Sequence, residues 1–387
     1  MSSAIRLPSV ADLELRGKRV FIRADLNVPL RGAEVADASR IEASRETLDF
    51  VRSRGGRAVL ASHLGRPKAA SDPKYSLAPV AKHMGLPLAP DCVGPAVEAA
   101  VAKLRDGEAL LLENLRFHAG EEANAPGFVA ELAVLCDAYV NDAFGTAHRA
   151  HASTEGLAHR VSAAAAGFLL LREVEALSRV RDQPKHPYLC ILGGAKVSDK
   201  LAVLESLAAR ADTVAIGGAM AYTFLLAKGE PVGRSLVEKD LVDTAKRLLA
   251  GKTELLLPVD HVVAAGLDDT AGARTVERIP EDAMALDIGP RSRAAIEARV
   301  AKAKTVFWNG PLGLFEKPPF DAGTRAVAEM LAKSSAYTVV GGGDSLAAVQ
   351  AAGVGARISH LSTGGGASLE FLEGAALPGV EALRRPR

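Results

Sequence analysis

Short apolar, β-branched runs recur along the chain, each closed by a Gly- or Asp-rich turn and followed by a helical pattern. In the first half they lie at residues 19–23, 57–62, 109–113 and 137–141; in the second half at 188–192, 213–216, 254–258, 305–309 and 337–340. Between them, stretches such as 198–210 and 322–333 are rich in Ala, Leu and Glu, which favour helix. Strands alternating with helices predict βαβ units, hence an α/β fold of parallel sheets flanked by helices. Nine strands fit one sheet, but two sheets suit 387 residues better. Residues 171–181 read as a charged amphipathic helix, and the proline-punctuated break Asp182-Gln183-Pro184-Lys185-His186-Pro187 follows. The expected division is a first domain at 1–170, a hinge helix and linker at 171–187, and a second domain at 188–370.

Composition narrows the function. Apolar residues make up 48% and charged residues 24%, enough to bury a core. A net charge of +1, with both signs shared evenly between the halves, argues against nucleic-acid or anionic-membrane partners, so any anion site must be built locally. Three scattered cysteines, Cys92, Cys136 and Cys190, argue against a disulfide framework and for a reducing compartment. The longest apolar run, 161–171, is far short of the ~20 residues of a membrane span, and the first residues have no signal-type apolar core. A soluble, cytoplasmic protein is expected.

In open α/β sheets ligands bind beyond the carboxyl ends of strands. The most unusual residues fall at those ends. In the first half the strand ends run into Asp25-Leu26-Asn27-Val28-Pro29, Ser62-His63-Leu64-Gly65-Arg66-Pro67, Glu113-Asn114-Leu115-Arg116-Phe117-His118, and 141–151 with His148, Arg149 and His151. Any one of these reads as an ordinary turn, and Asp25 and Asn27 before Pro29 suit an Asx turn. Together with Arg40 they bring several guanidinium groups and His63 to one rim, a multidentate clamp for phosphate or carboxylate. Asp25 and Asn27 would orient a substrate hydroxyl. His148 and His151 have a metal-compatible spacing but no nearby Cys or Glu in sequence, so packing outweighs zinc there.

The second half has four glycine-rich or turn-forming junctions. Gly193-Gly194-Ala195-Lys196-Val197-Ser198-Asp199-Lys200 leads into a helix, where amides, the helix N-terminus and two lysines suit a phosphate. It is not a Walker A loop; the nearest decoy, Gly251-Lys252-Thr253, has Lys246 where the first glycine belongs, and the dinucleotide glycine fingerprint is also missing. The segment 308–316 holds the only tryptophan, Trp308, and ends in Glu316, a surface charge or a ribose ligand. Gly341-Gly342-Gly343-Asp344-Ser345 offers Asp344 as a helix cap or as a carboxylate for Mg2+. Ser362-Thr363-Gly364-Gly365-Gly366-Ala367-Ser368 opens a helix at 369–372 and exposes amides suited to a transferring phosphoryl group. One basic site and one phosphate-and-metal site point to phosphoryl transfer between a nucleotide and a small anion.

At these residues the chain resembles the phosphoglycerate kinase family, collinearly from about Val20 to Glu373. The run 21–29 is similar to the family's opening signature, and the blocks at 63–67, 113–118, 142–151, 193–200, 308–316, 341–345 and 362–368 recur in family order. The resemblance implies two Rossmann-like domains joined by a helical hinge, with the tail 371–387 returning to the first domain. It implies exchange of 1,3-bisphosphoglycerate and MgADP for 3-phosphoglycerate and MgATP by a monomer, as in glycolysis. By resemblance Asp25, Asn27, Arg40, His63, Arg66, Arg116 and Arg149 hold the three-carbon acid. Gly194, Lys200, Asn309, Pro311, Leu314, Glu316 and Gly342, Gly343, Asp344 and Ser345 hold the nucleotide, with Asp344 at the Mg2+. Arg40 and Lys196 stabilise the phosphoryl group in flight, aided by the amides of Gly364, Gly365 and Gly366. Ser345 stands where many members carry Thr. Aromatics are only 4%, so the adenine is expected in an aliphatic slot near Gly217, Gly218 and Leu314. Against this stand an NAD-linked dehydrogenase, a small-molecule binding protein and a non-catalytic scaffold that keeps the fold.

Overall fold

A computed structural model describes residues 7–68 and 71–384. The described residues divide into two compact units: those up to Glu175 together with those from Ala376 onward, and Ala176–Ala375. The division falls inside the helix Phe168–Arg181.

The first unit is built on five parallel strands in the spatial order Ala109–Leu111, Arg57–Ala61, Arg19–Ala24, Ala138–Asp142 and Ala164–Ala166. Its strands are apolar along their length because helices cover both faces of such a sheet. Val20, Ile22, Ala58, Leu60, Leu111 and Val140 pack with Ile41, Leu48 and Val51 from the helix Ser39–Ser53. Register places Arg23 beside Ala61 and Asn141, so the polar residues that end these strands share one rim.

The second unit holds six parallel strands in the order Glu254–Leu256, Thr213–Ile216, Tyr188–Leu192, Thr305–Asn309, Tyr337–Gly341 and His360–Ser362. Leu192 pairs with Ile216 and Asn309, Asn309 with Gly341, and Gly341 with Ser362. Five chain segments therefore leave the sheet at one edge. In both sheets the chain works outward from a central strand and then returns to that strand's other side. The reversal lies between Arg19–Ala24 and Ala138–Asp142 in one sheet, and between Tyr188–Leu192 and Thr305–Asn309 in the other. Such switch points leave a crevice, because the flanking loops diverge.

The structure corrects several expected elements. The strand at 109–113 stops at Leu111 and that at 254–258 at Leu256. Residues 198–210 are not one helix: a 3-10 turn Ser198–Lys200 precedes the helix Leu201–Ala208. The helix placed at 369–372 begins three residues earlier, at Gly366. Strands Ala164–Ala166 and His360–Ser362 were not anticipated; alanine has little strand preference, and each run is short. An antiparallel sheet, with His261–Ala264 between Arg274–Val276 and Met284–Ile288, was also absent from the alternating pattern.

All three cysteines are free and buried. Burial pushes the Cys136 and Cys190 thiols up to about 12 and Cys92 further still.

Candidate active site

In the first unit the rim residues converge on His63. This imidazole is buried, and its Nδ1 lies 3.3 Å from Nη2 of Arg23. Burial, with the charges of Arg23, Arg116, Arg40 and Arg149, holds the ring far below the ordinary histidine range. His63 is therefore neutral near pH 7. Because a guanidinium only donates, Nδ1 accepts and the ring proton sits on Nε2. His63 thus brings a hydrogen-bond donor, while the arginines bring the positive charge.

Loop contacts aim those arginines. Arg40 Nη1 meets Asp25 Oδ2 at 2.9 Å. Arg116 donates from Nη1 to the Gly65 carbonyl at 2.8 Å, and its Nε lies 3.1 Å from Glu122 Oε1. Arg149 Nε donates to His148 Nε2 at 3.1 Å. Asp25 Oδ1 accepts the Asn27 N–H at 3.3 Å, the expected Asx turn, while Asn27 Oδ1 accepts the Gly65 N–H at 2.8 Å and ties the first two loops together. Both side chains thus have structural contacts besides any hydroxyl they orient. Arg66 is exposed on the loop beyond His63.

Sequence reasoning missed four groups here. Arg23 was read only as the end of a strand, yet it is 1% exposed and touches His63. For His151 the fold supplies an acid from a distant segment: Glu121 Oε1 lies 4.0 Å from its Nδ1. Glu121 and Ser153 are also fully buried beside Arg23. Their separations along the chain, 32 and 130 residues, leave no local signal.

The second unit makes its site differently. A cavity of about 360 Å³ opens at the switch point, lined by Gly193, Gly194, Ala195, Lys196, Asp199, Lys200, Asn309, Gly310, Pro311, Gly342, Gly343, Asp344, Gly365, Gly366 and Leu369. Its floor is crossed backbone. A Cβ on Gly193 would stand 2.0 Å from the Pro311 carbonyl oxygen, and one on Gly310 would stand 2.2 Å from that of Gly193. Only glycine lets these two loops touch. Trp308 is fully buried and donates from Nε1 to the Gly310 carbonyl at 2.9 Å, so it braces the loop from the core and does not stack on a ligand.

Lys200 Nζ donates to Asn309 Oδ1 and is half-buried; burial lowers its pKa, and Asp199 and Asp344 oppose that shift. Lys196 is exposed on the cavity wall. Asp344 stands in the first turn of the helix Gly343–Ala351, whose cap is Gly342, so its carboxylate is not used as a cap and faces the cavity. An exposed carboxylate among phosphate-type amides is the donor set that Mg2+ takes when phosphates complete its shell. Ser345 is buried, and its Oγ accepts the Gly310 N–H at 2.7 Å. Gly365 and Gly366 line the cavity, whereas Gly364 is buried with its N–H toward Ser362 Oγ at 3.4 Å. Gly217 and Gly218 are buried against Leu312 and Gly194; Leu314 packs beside Phe320, and Glu316 is exposed.

The family model for phosphoglycerate kinase matches residues 10–375. The phosphoglycerate kinase of Solibacter usitatus (strain Ellin6076) is 55% identical, over 97% of this chain and 99% of its own length. That of Anaeromyxobacter sp. (strain Fw109-5) is 52% identical, with the same coverage. The structure of phosphoglycerate kinase from Coxiella burnetii superposes with a TM-score of 0.89 at 39% identity, covering 98% of this chain and 99% of that one. The enzyme from Pyrococcus horikoshii OT3 gives 0.85 at 32% identity, covering 97% and 98%. The chain belongs to the phosphoglycerate kinase family.

Proposed function

We propose that the chain transfers a phosphoryl group reversibly between 1,3-bisphosphoglycerate and MgADP, giving 3-phosphoglycerate and MgATP, with the acid on the first unit and the nucleotide on the second. Family membership supports the reaction. The observation that carries the assignment of substrates is the contrast between four arginine charges acting on a neutral, buried His63 and a cavity walled by glycine amides, two lysines and Asp344.

The chemistry asks little of the protein besides position and charge. A carboxylate nucleophile with a pKa of about 3.5 is already ionised at pH 7, so no general base is required. His63, being neutral and proton-bearing at Nε2, orients the acid, and Arg116 and Arg149 neutralise its charge. Asp25 and Asn27 orient its hydroxyl, and Arg66 adds a more exposed contact. Gly194, Lys200, Asn309, Pro311, Gly342 and Gly343 hold the nucleotide phosphates, and Ser345 supports them through Gly310. Glu316 takes the ribose, and the base lies near Gly217, Gly218 and Leu314. Arg40, Lys196 and the amides of Gly365 and Gly366 meet the charge that develops on the phosphoryl group, with Gly364 shaping that turn. Asp344 would hold Mg2+, which when bound neutralises the phosphate oxygens.

In-line transfer requires the two substrates to meet with water excluded, so turnover includes closure about the helix Phe168–Arg181. The tail from Ala376 onward, whose Gly379 N–H donates to the Ala147 carbonyl at 2.9 Å, belongs to the acid-binding unit. The reading includes a cytoplasmic monomer; among the described residues no helix is long and apolar enough to cross a membrane.

The test is direct. Purified protein should make ATP from ADP and the acyl phosphate only when Mg2+ is present, measured in a coupled assay. Well-folded protein with no turnover would leave a scaffold that has kept the fold and lost the reaction.

A further inference from the structure

The first unit buries an acid, Glu121, that the proposed reaction does not use. Glu121 lies on the short helix Ala119–Glu122 and is fully buried. A carboxylate removed from water is tolerated only with compensating hydrogen bonds or charge. Here Oε1 accepts the Ser153 hydroxyl at 2.5 Å and Oε2 accepts the Ser153 N–H at 3.0 Å. Burial raises the Glu121 pKa, and the charge of Arg23 with the two Ser153 bonds opposes it.

Ser153 is the middle of a chain. It sits in a single π-helical turn, Ala152–Gly156, and its carbonyl accepts the Tyr139 hydroxyl at 2.7 Å, which fixes its position. Its Oγ accepts Nε of Arg23 at 2.7 Å. A hydroxyl has one proton to give; with that proton on Glu121, only lone pairs face the guanidinium. The direction is set: guanidinium to hydroxyl to carboxylate.

Arg23 is held at its other nitrogens by the Ala24 carbonyl at 2.5 Å and His63 Nδ1 at 3.3 Å. Of its three contacts, the one through Ser153 leads to a negative charge. The adjacent Glu122 serves Arg116 directly. Two consecutive glutamates thus steer two guanidinium groups of one cluster.

Resting on the reading that this unit binds the three-carbon acid, the geometry points to Glu121 as a positioning residue: through Ser153 it holds Arg23 against His63 and keeps the imidazole proton on Nε2, facing the substrate anion. Glu121 does not touch substrate. The hydrogen bond at one ring nitrogen decides the tautomer at the other. Replacing Glu121 by Gln puts an amide N–H where Ser153 needs an acceptor, so the hydroxyl proton turns away and the chain from Arg23 no longer ends on a negative charge.

The experiment measures KM for 3-phosphoglycerate and for MgATP, and the His63 tautomer by 15N NMR, in wild type, Glu121→Gln, Ser153→Ala and the double variant. Each single variant should raise KM for 3-phosphoglycerate by on the order of tenfold, as expected when a hydrogen bond to a buried charge is broken. KM for MgATP should stay within about twofold, and His63 should shift from Nε2–H toward a mixed tautomer. The double variant should match the single ones, since both cut the same chain. Folded variants with both KM values unchanged or rising together, or with the tautomer unmoved, overturn the inference. If Glu121→Gln fails to fold, Ser153→Ala carries the same test. Wild-type protein without turnover would overturn the functional reading, and the His63 signal would still decide whether the relay exists.

Discussion

On the proposed reading, the two units bind their anions by opposite means. The first gathers long cationic side chains around a buried imidazole and must hold each of them in place: Asp25 for Arg40, Gly65 and Glu122 for Arg116, His148 for Arg149. The second lines its cavity with glycine backbone, in contacts so close that a methyl group cannot enter. A side-chain site carries full charges and fits a small, highly charged acid, but each member needs its own support. A backbone site is rigid by construction and suits a polyphosphate whose shape is fixed. It is broken by bulk, whereas the side-chain site is broken by lost charge or lost support.

The largest effect is expected where charge acts on the group in flight. Arg40→Ala should lower kcat by on the order of 10³-fold or more, because its charge serves chiefly the transition state; a raised KM alone, in steady-state kinetics, would move Arg40 to ground-state binding. Gly193→Ala should come next. With a Cβ 2.0 Å from the Pro311 oxygen, the loops must separate, and MgADP affinity by calorimetry should fall by on the order of 100-fold, as for misplacement by about an ångström, while 3-phosphoglycerate affinity holds. Equal loss of both ligands would erase the contrast between the units. Asp344→Asn should weaken MgADP binding by roughly tenfold, the size of one charge-assisted contact, and leave 3-phosphoglycerate nearly untouched; titration of Mg2+ dependence measures it.

The smallest effect concerns stability against pH, and it too separates the units. His63 in the folded state lies far below its ordinary value. Below about pH 6.5 the unfolded chain takes up a proton that the folded one refuses, so this contribution to stability is present above that pH and is lost as pH falls. Asp287 of the second unit is pushed up to about 7 by burial, against the N–H groups of Gly323 and Ile288. Between about pH 4 and 7 the folded state holds a proton that the unfolded chain has released, so stability falls as pH rises through that window. Chemical denaturation across this pH range should show His63→Gln flattening the acid loss and Asp287→Asn flattening the loss toward neutrality.

Legibility followed the same divide. Gly193, Gly310 and Gly342 announce a backbone site in the sequence, because glycines clustered where strand meets helix have little other use. The arginines at strand ends were visible too, since they break an apolar run. Their supports were not: Arg23, Ser153 and Glu121 lie far apart in the chain and meet only in the fold. Ser345, expected at the nucleotide, and Gly364, expected at the transferring group, are buried and lie behind the residues that line the cavity. Sequence marks which segments reach a rim, but the depth of each residue within it depends on packing. The antiparallel strands His261–Ala264, Arg274–Val276 and Met284–Ile288 escaped because nothing in a βαβ rhythm calls for them.

The sheltered, protonated thiols of Cys92, Cys136 and Cys190 have a practical consequence. Maleimide chemistry at neutral pH attacks thiolate in solvent, so it should pass these three by. A cysteine introduced on the surface of each unit would then be the sole point of dye attachment there, with the native sequence otherwise intact. A donor–acceptor pair placed in this way would follow the distance between the units while substrates are added, one molecule at a time.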